Sequence, residues 1–369
     1  MNSKIIIIGN EILTGFPREK NAFFLINELL KIGINTTQVI FVKDNILSIQ
    51  EQLDFHFDLI LLSGGLGPTS DDLTSEALYD YFKEKPLSLI TNSIGTASGL
   101  KYKNDETYII ALPGVPSELR NMFTNEVIPD LVGIKNRLFI NVFQVNTIGI
   151  AESQLVQLLS DFEAKKKSNI SMSYLPENIV VKLRFVSQSI DCENDFKSIK
   201  IDLKKILGHA IFDYGDKSFE FYINKLFLSK GFKISVAESC TGGYLSHLIT
   251  SFSGSSNFFN GGINSYSEDS KVNVLNISKN LINDKTVVSE EVAIAMAKSV
   301  REKFNSDYGI STTGYVGPNA PNHLLGVVWI ACVSKKNIIT KVLKLKFDRK
   351  TNIIISSRLA LNLVREQII

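Results

Sequence analysis

The chain has 369 residues, of which 44% are hydrophobic and 21% are charged, as in globular proteins with room for two or three domains. The net charge of +2 implies no basic surface, so direct nucleic-acid binding is not expected. Three scattered cysteines argue against a disulfide framework or a zinc site. Because no apolar run is long enough for a signal peptide or a membrane span, we expect a cytoplasmic protein that contacts no membrane.

Residues 1–140 alternate predicted strands with predicted helices. The segment NAFFLINELLKIG (21–33) carries an apolar stripe at helical spacing, and Gly33 is its stop signal. The buried strands are predicted at KIIIIG (4–9), FDLILLSGG (57–65) and TYIIALPG (107–114). Apolar strands separated by helices indicate a mainly parallel or mixed sheet that is covered on both faces, so a three-layer α/β domain is predicted.

The loop SGGLGPTSDDLTSEAL (63–78) follows a buried strand and opens a helix. Its glycines would let the backbone approach a ligand closely, and its two aspartates are weak candidates for a divalent cation. Capping the next helix is the commoner role of an acid at this position. The candidate ligand residues are Gly64, Gly65, Gly67, Thr69, Asp71 and Asp72.

The pattern changes after residue 140. Residues 141–208 read as helix, hairpin and helix, which indicates a small α+β connector, and residues 209–218 read as a linker. Residues 219–369 return to alternating strands and helices and predict a second three-layer α/β domain. The predicted fold class is therefore two α/β domains with mainly parallel or mixed sheets, joined by a small α+β module.

Three polar clusters of the last domain follow predicted strands: AESCTGG (237–243), NSYSEDSK (264–271) and STTGYVGP (311–318). In open α/β sheets, ligands bind at the carboxyl ends of the strands, so these clusters are expected to converge. A fourth segment, SGSS (253–256), consists of small residues suited to holding a phosphate through backbone amides.

Ser239 lies in the sharp turn between strand and helix and is the candidate nucleophile, with the amides of residues 240–243 as oxyanion donors. None of the four histidines adjoins a cluster in a way that suggests a triad, so Lys271 is the candidate base. The residues alone leave plainer readings open, with Ser239 as a helix cap and Lys271 as a solvated helix residue. Cys240 is a competing nucleophile, ranked below Ser239 because small buried cysteines are usually inert.

The motifs AESCTGG, SGSS, GGINSYSEDSK, VVSEEVA, STTGYVGP, GVVWIA and FDR occur in this order over about the last 150 residues. Together they resemble the C-terminal amidohydrolase domain of the CinA family, which deamidates nicotinamide mononucleotide in pyridine nucleotide salvage. The resemblance implies a Ser-Lys mechanism at Ser239 and Lys271. It also implies site roles for Tyr266, Thr313 and Arg349.

The implied reaction releases ammonia from the nicotinamide carboxamide and gives nicotinic acid mononucleotide, with no cofactor. The nucleotide is the expected small-molecule partner. The residues expected to contact it are Cys240, Thr241, Gly242, Gly243, Ser255, Ser256 and Arg349.

The N-terminal motifs resemble the molybdopterin-binding-like domain of the same family, which is related to molybdenum-cofactor biosynthesis proteins. The matching segments are GNEILTG (9–15), SGGLGPTSDDLTSEAL (63–78) and LPGVPSELRNMF (112–123). Asn10 replaces a usual aspartate, and the stretch between Tyr81 and Asn92 is shorter than in the family. Some relatives hydrolyse ADP-ribose with a metal here. The alternatives for this domain are that activity with a divalent metal, nucleotide or pterin binding, or a scaffold for a homodimer.

Two further hypotheses come from different functional classes. One is a nucleotide- or pterin-binding protein whose catalytic half has decayed, and the presence together of Ser239, Tyr266 and Lys271 argues against it. The other is a non-enzymatic interaction protein of competence or damage responses, for which the near-neutral charge supplies no DNA-binding surface.

Overall fold

The computed structural model describes residues 1–15, 19–69, 72–133, 140–189, 191–318, 320 and 323–369. The chain forms two compact units. The first unit contains residues 1–142 with 168–171 and 186–192, and the second contains residues 143–167, 172–185 and 193–369.

The first unit is built on a six-stranded sheet in the order β2-β1-β3-β6-β5-β4. Its strands are β1 (Asn2–Ile8), β2 (Asn35–Val42), β3 (Leu59–Ser63), β4 (Ser88–Ile90), β5 (Gly99–Asn104) and β6 (Thr107–Leu112). The strands β2, β1, β3 and β6 run parallel to one another. The strand β5 is antiparallel to β6, and β4 is antiparallel to β5. Its helices are α1 (Asn10–Leu13), α2 (Asn21–Lys31), α3 (Ile46–Gln50), α4 (Thr74–Phe82), α5 (Pro116–Met122) and α6 (Ile128–Val132), with a π-helical turn at Phe123–Val127.

The continuous apolar run in β1 reflects burial of the sheet on both faces. Ile5 and Ile7 belong to the hydrophobic cluster under α2 and α5, whereas Ile6 and Ile8 belong to the cluster on the opposite face. Successive side chains of a strand point to opposite faces, so a strand covered on both sides must be apolar throughout. The predicted three-layer α/β architecture is confirmed for this unit.

A small sheet follows, in the order β10-β7-β9-β8. Its elements are β7 (Asn141–Ile148), α7 (Glu152–Lys165), β8 (Ile170–Glu177), β9 (Val180–Ser187), α8 (Glu193–Leu207), a 3-10 turn at Gly208–Ala210 and β10 (Ile211–Asp213). Residues 211–213, which were predicted to be linker, instead pair antiparallel with β7 as an edge strand. A strand of three residues is too short to produce a readable alternation, which is why the pattern missed it.

The last part of the chain is a five-stranded sheet with helices on both sides. Its elements are α9 (Phe219–Lys230), β11 (Ile234–Glu238), α10 (Tyr244–Thr250), a 3-10 turn (Ser255–Asn257), β12 (Phe259–Asn264), α11 (Glu268–Asn273), α12 (Lys279–Lys285), α13 (Glu290–Lys303), β13 (Tyr308–Gly314), β14 (Val327–Val333), β15 (Ile338–Lys344) and α14 (Arg349–Ile368). Ser289 caps α13, since its hydroxyl accepts from the amide of Val292.

The strand order of this sheet is β12-β11-β13-β14-β15. The strands β12, β11 and β13 run parallel, and β14 and β15 are antiparallel to their neighbours. The carboxyl ends of the three parallel strands therefore meet at one edge, and each is followed by one of the three polar clusters. In the described parts of the chain, no helix combines the length and apolar character that a membrane crossing requires.

Candidate active site

Ser239 occupies the sharp turn that connects β11 to α10. The strand is buried along its whole length, and Ser239 itself is 7% exposed. Its amide donates to the carbonyl of Thr312 in the neighbouring strand, which fixes the turn against the sheet. Gly243 precedes the helix with φ of +99°, a backbone conformation that a side chain would strain. The local sequence thus holds one hydroxyl at the carboxyl edge of the sheet.

Lys271 reaches the same point from α11, the short helix that follows β12. Ser267 caps this helix by accepting from the amide of Ser270. The lysine side chain is only 2% exposed, and its Nζ lies 2.9 Å from Oγ of Ser239. The structure therefore brings together the two residues that the sequence predicted as nucleophile and base, although they are 32 positions apart.

The surroundings of Lys271 favour the uncharged amine. Its Nζ also lies 2.8 Å from the carbonyl oxygen of Ser265 and 3.3 Å from that of Tyr266. Burial lowers the pKa of Lys271 to about 8, against smaller opposing effects of Cys240 and Glu268. A neutral amine can donate its two N–H groups to the carbonyls and direct its lone pair at the Ser239 hydroxyl. This arrangement can remove a proton from Ser239.

Glu238, which the sequence analysis did not select, organises the turn. Its carboxylate is buried and accepts from the hydroxyls of Thr241 and Ser246, at 2.7 and 2.6 Å. It also accepts from the amides of Gly243, Leu245 and Ser246 at the start of α10. The available signal was an acid at the end of an apolar strand directly before a helix, where a carboxylate can satisfy the free N-terminal amides.

Hydrogen bonds within the turn reduce the number of backbone amides that are available to stabilise an oxyanion. The amide of Gly242 donates to the carbonyl of Ser239, and that of Gly243 donates to Glu238. The prediction that all four amides from Cys240 to Gly243 serve as donors is therefore wrong for these two glycines. In the described structure, the amides of Cys240 and Thr241 donate to no carbonyl or side-chain oxygen. Of these two residues Cys240 lines the cavity at Ser239 and Thr241 does not, so the amide of Cys240 is the remaining candidate.

Cys240 is a poor nucleophile in this environment. Its thiol is buried beside Ser239, and burial raises its pKa to about 12. Because the thiolate is the reactive species, a thiol with this pKa is almost wholly unreactive at neutral pH. The ranking of Ser239 above Cys240 is consistent with this burial.

Ser239 and Lys271 open into a cavity of about 490 Å³. The predicted residues that line it are Ser239, Cys240, Tyr266, Lys271, Thr313 and Arg349. Glu268, Tyr315 and the backbone around Gly317 complete much of its wall. A cavity of this size matches the lower part of the range for small-molecule sites.

Two of the lining residues are linked at the mouth of the cavity. Arg349 Nη2 donates to Tyr266 Oη at 3.0 Å, and Tyr266 is 60% exposed. Arg349 also lies over Gly317, where an added Cβ would be 2.5 Å from the guanidinium. The hydroxyl of Thr313 donates to the carbonyl of Val287 at 2.7 Å, so toward a ligand it can only accept.

Several predicted substrate contacts lie elsewhere. Ser255 is buried and its hydroxyl donates to the carbonyls of Ile249 and Phe252, at 2.9 and 2.5 Å. Neither Ser255 nor Ser256 lines the cavity, so the predicted contact of these serines with substrate is not supported in this chain. Thr241, Gly242 and Gly243 line a separate apolar groove behind the turn, which shares only Arg349 with the cavity.

The first unit has its own cavity, of about 520 Å³, at the carboxyl ends of β1, β3 and β6. The predicted ligand residues Gly64, Gly65, Gly67, Thr69 and Asp72 line it, whereas Asp71 lies outside the described residues. It is slightly larger than the Ser239 cavity, but volume does not decide chemistry. Ser63 and Lys20 both line it, yet in the described structure the hydroxyl of Ser63 contacts the side-chain amide of Asn21 and not the lysine.

Asp72 acts within its loop. Its carboxylate accepts from the amide and the hydroxyl of Thr69, and no side chain caps α4, so the expected helix cap is wrong. Burial works to raise the pKa of Asp72, but hydrogen bonds from Thr69 and Gly67 hold it below its usual value. Among the described residues, no group of three His, Cys, Asp or Glu side chains is arranged to hold a metal ion. The divalent metal stays a prediction.

Comparison with known families gives a match for each α/β region. Residues 216–368 match the CinA C-terminal domain, and residues 4–132 match the probable molybdopterin binding domain. The cavity around Ser239 lies in the first of these regions and the cavity around Gly64 in the second.

Similar proteins cover the whole chain. A CinA-like protein of Flavobacterium psychrophilum is 34% identical over 416 residues, covering 100% of this chain and 99% of the relative. A putative competence-damage inducible protein of Halothermothrix orenii is 33% identical over 395 residues, covering 95% of each. A crystal structure of a CinA superfamily protein from Escherichia coli is 26% identical, with a TM-score of 0.39, covering 43% of this chain and 98% of that chain. With both domains matched and a relative of this identity over its full length, the chain is a member of the CinA family.

Proposed function

We propose that the C-terminal domain hydrolyses the carboxamide of nicotinamide mononucleotide to give nicotinic acid mononucleotide and ammonia. The observation that carries the proposal is the 2.9 Å contact between Lys271 Nζ and Ser239 Oγ inside a cavity. The other partners of Nζ are two backbone carbonyls, and no carboxylate of the described residues pairs with it. A buried lysine in contact with a serine hydroxyl is an arrangement for activating that serine.

In the first step, neutral Lys271 takes the hydroxyl proton as Ser239 Oγ forms a bond to the carboxamide carbon. The carbonyl oxygen becomes an oxyanion, and the amide of Cys240, a residue that lines the cavity, is the available donor to stabilise it. The protonated Lys271 then gives its proton to the amide nitrogen. The carbon–nitrogen bond breaks, ammonia leaves, and an ester of Ser239 remains.

In the second step, a water molecule attacks the ester carbon while Lys271 removes its proton. Collapse of the second tetrahedral intermediate breaks the bond to Ser239 Oγ, which recovers its proton from Lys271. One water is consumed, and the products are the carboxylic acid and ammonia. Only a group that alternates between neutral and protonated forms can do both transfers, which is why the lowered pKa of Lys271 matters.

The mouth of the cavity suits the nucleotide part of the substrate. Arg349 supplies the positive charge that a ribose phosphate requires, and Tyr266 Oη holds the guanidinium in place. Thr313, whose hydroxyl can only accept toward a ligand, is suited to receive an N–H of the carboxamide.

The test is release of ammonia from nicotinamide mononucleotide by the full chain and by Ser239→Ala and Lys271→Ala. We expect each variant to lose turnover by roughly 10³-fold or more, because nucleophile and base act as a unit. Ser256→Ala and Lys279→Ala are matched controls, since both side chains are exposed and outside the cavity. They should retain activity within about 2-fold. Circular dichroism establishes that all four variants fold.

The proposal fails if the wild-type chain releases no ammonia from this nucleotide. It also fails if folded Ser239→Ala retains more than about a tenth of wild-type turnover, since that exceeds what a missing nucleophile allows.

A further inference from the structure

The Ser239 cavity carries an uneven distribution of charge. Three of its described lining residues have acidic or basic side chains: Lys271, Arg349 and Glu268. Lys271 is uncharged in its reactive form, and Arg349 is held at the mouth by Tyr266. Glu268 is the only carboxylate that lines the cavity in the described structure. The carboxylate of Glu268 therefore faces the space that the ring carrying the carboxamide must occupy.

The carboxylate of Glu268 has no hydrogen-bond or ion-pair partner in the described structure, and its charge acts electrostatically on Lys271. Glu268 is the first residue of α11 and is exposed, and its side chain makes no hydrogen bond or ion pair there. It lies three residues before Lys271, so the two project from the same side of the helix. The neighbouring Asp269 is also exposed but does not line the cavity. Glu268 is thus free to interact with a ligand, whereas Asp269 faces elsewhere.

Aromatic side chains accompany this carboxylate. Tyr266 and Tyr315 both line the cavity, and the faces of aromatic rings attract organic cations. A carboxylate next to aromatic faces favours a positively charged ring, while Arg349 at the mouth favours an anionic group on the same ligand. A pyridinium nucleotide has this combination of charges.

We propose that Glu268 is a specificity residue that selects a carboxamide carried on a positively charged ring over the same carboxamide on a neutral ring. The inference rests on the proposed function, because it assigns a recognition role within that site. Glu268 takes no part in proton transfer. It stabilises the bound pyridinium by direct electrostatic attraction across the cavity that its side chain lines.

The experiment compares nicotinamide mononucleotide with its benzamide analogue, in which an uncharged phenyl ring carries the same carboxamide, ribose and phosphate. We expect Glu268→Gln to lower kcat/KM for the cationic substrate about 10-fold, equivalent to about 1.4 kcal/mol. Both substrates are compared on the pH plateau above the Lys271 midpoint, where the influence of Glu268 on the pKa of that lysine no longer affects turnover. There the value for the neutral analogue should change less than about 2-fold. Comparing each variant with wild type on the same substrate removes the intrinsic difference in reactivity between the two rings.

Asp269→Asn is the matched control, because it removes the same charge from the same helix outside the cavity. It should leave kcat/KM for both compounds within about 2-fold, since exposed charges are screened by solvent. An equal loss for both substrates in Glu268→Gln overturns the proposal. A similar loss for the cationic substrate in Asp269→Asn overturns it as well, because the effect would then be a general one of net charge.

Calorimetric binding to Ser239→Ala separates this inference from the hydrolytic proposal, because it requires no turnover. We expect Ser239→Ala to bind nicotinamide mononucleotide more tightly than the benzamide analogue, and the added change Glu268→Gln to remove about 10-fold of that preference. If this holds while wild type releases no ammonia, the recognition role stands and the hydrolytic function falls. If Ser239→Ala shows no preference for the cation, the recognition role falls whatever the activity.

Discussion

At the level of single residues, the chemistry depends on how Lys271 becomes uncharged near neutral pH. With a pKa of about 8, roughly one lysine in ten is neutral at pH 7, against roughly one in several thousand at the usual 10.5. Burial accounts for the difference, because an ammonium group is poorly solvated inside the domain. The two carbonyls that contact Nζ keep the amine oriented in either state.

This titration predicts the pH dependence of the reaction. Because only neutral Lys271 accepts the proton of Ser239, kcat/KM should rise with pH and reach half its plateau near pH 8. Burial lowers this pKa and the charge of Glu268 raises it, so Glu268→Gln should move the midpoint to lower pH. The measurement is kcat/KM for nicotinamide mononucleotide between pH 6 and 10. A flat profile, or a midpoint close to 10.5, contradicts the assignment of Lys271 as base.

Ser255 shows how a plausible residue-level signal fails. A loop of small residues, SGSS, is typical of phosphate-binding turns. In the fold, however, the hydroxyl of Ser255 donates to two carbonyls near the end of α10. The carbonyls at a helix C-terminus lack partners within the helix, and Ser255 donates to one of them, that of Ile249. The same residue types serve either purpose, and only the position of the helix end distinguishes them.

At the level of elements, the junction between β11 and α10 determines where the nucleophile points. The cap residue of α10 is Gly243, which has no side chain to accept from the first amides. Glu238 replaces such a cap from the preceding strand, with five donors directed at its carboxylate. Its own carbonyl accepts from the amide of Ser265, next to the loop that contacts Lys271. One residue therefore contacts both the turn that holds Ser239 and the loop next to Lys271, the proposed catalytic pair.

Substituting Glu238 by Gln should weaken stability and activity together. The amide group of Gln would place N–H donors against the N–H and O–H donors that surround this position. We expect a loss of about 1–3 kcal/mol in unfolding free energy and a fall in kcat of roughly 10²-fold with a smaller change in KM. Urea unfolding and ammonia release measure the two effects.

Glu220→Gln is the control for this prediction. Glu220 is also a buried carboxylate, but it binds Arg358 Nε at 2.6 Å and lies outside the cavity. Its substitution should lower stability while leaving kcat within about 2-fold. If both variants lose activity to the same extent, Glu238 has only a structural role.

At the level of the whole molecule, a buried arginine attaches the end of α14 to the segment that precedes α9. Arg365 is 1% exposed and donates to Asn362 Oδ1 at 2.8 Å. Its guanidinium also donates to the carbonyls of His209 and Ile211, within the stretch that was predicted to be a linker. Residues 208–213 are therefore a packed part of the second unit.

Replacing Arg365 by Ala distinguishes a packed segment from a free linker. The change leaves buried carbonyls without donors and opens a cavity, so we expect a loss of about 3 kcal/mol in unfolding free energy. Trp329, the single tryptophan, lies in β14 and reports unfolding of the second unit by fluorescence. Lys350→Ala, at the exposed start of the same helix, should cost less than about 0.5 kcal/mol. If the two variants lose the same unfolding free energy, the hydrogen bonds of Arg365 do not stabilise the second unit.

The sequence by itself determined the α/β class of both domains, several of their buried strands, and the choice of Ser239 and Lys271 as the proposed nucleophile and base. Such features follow from local periodicity, from turn residues, and from motifs whose order survives in the chain. The tertiary structure alone decided which polar groups meet: Glu238 with the amides of α10, Ser255 with carbonyls, and Arg365 with β10. Hydrogen-bond partners are chosen by competition among groups far apart in sequence, and no local window contains that information.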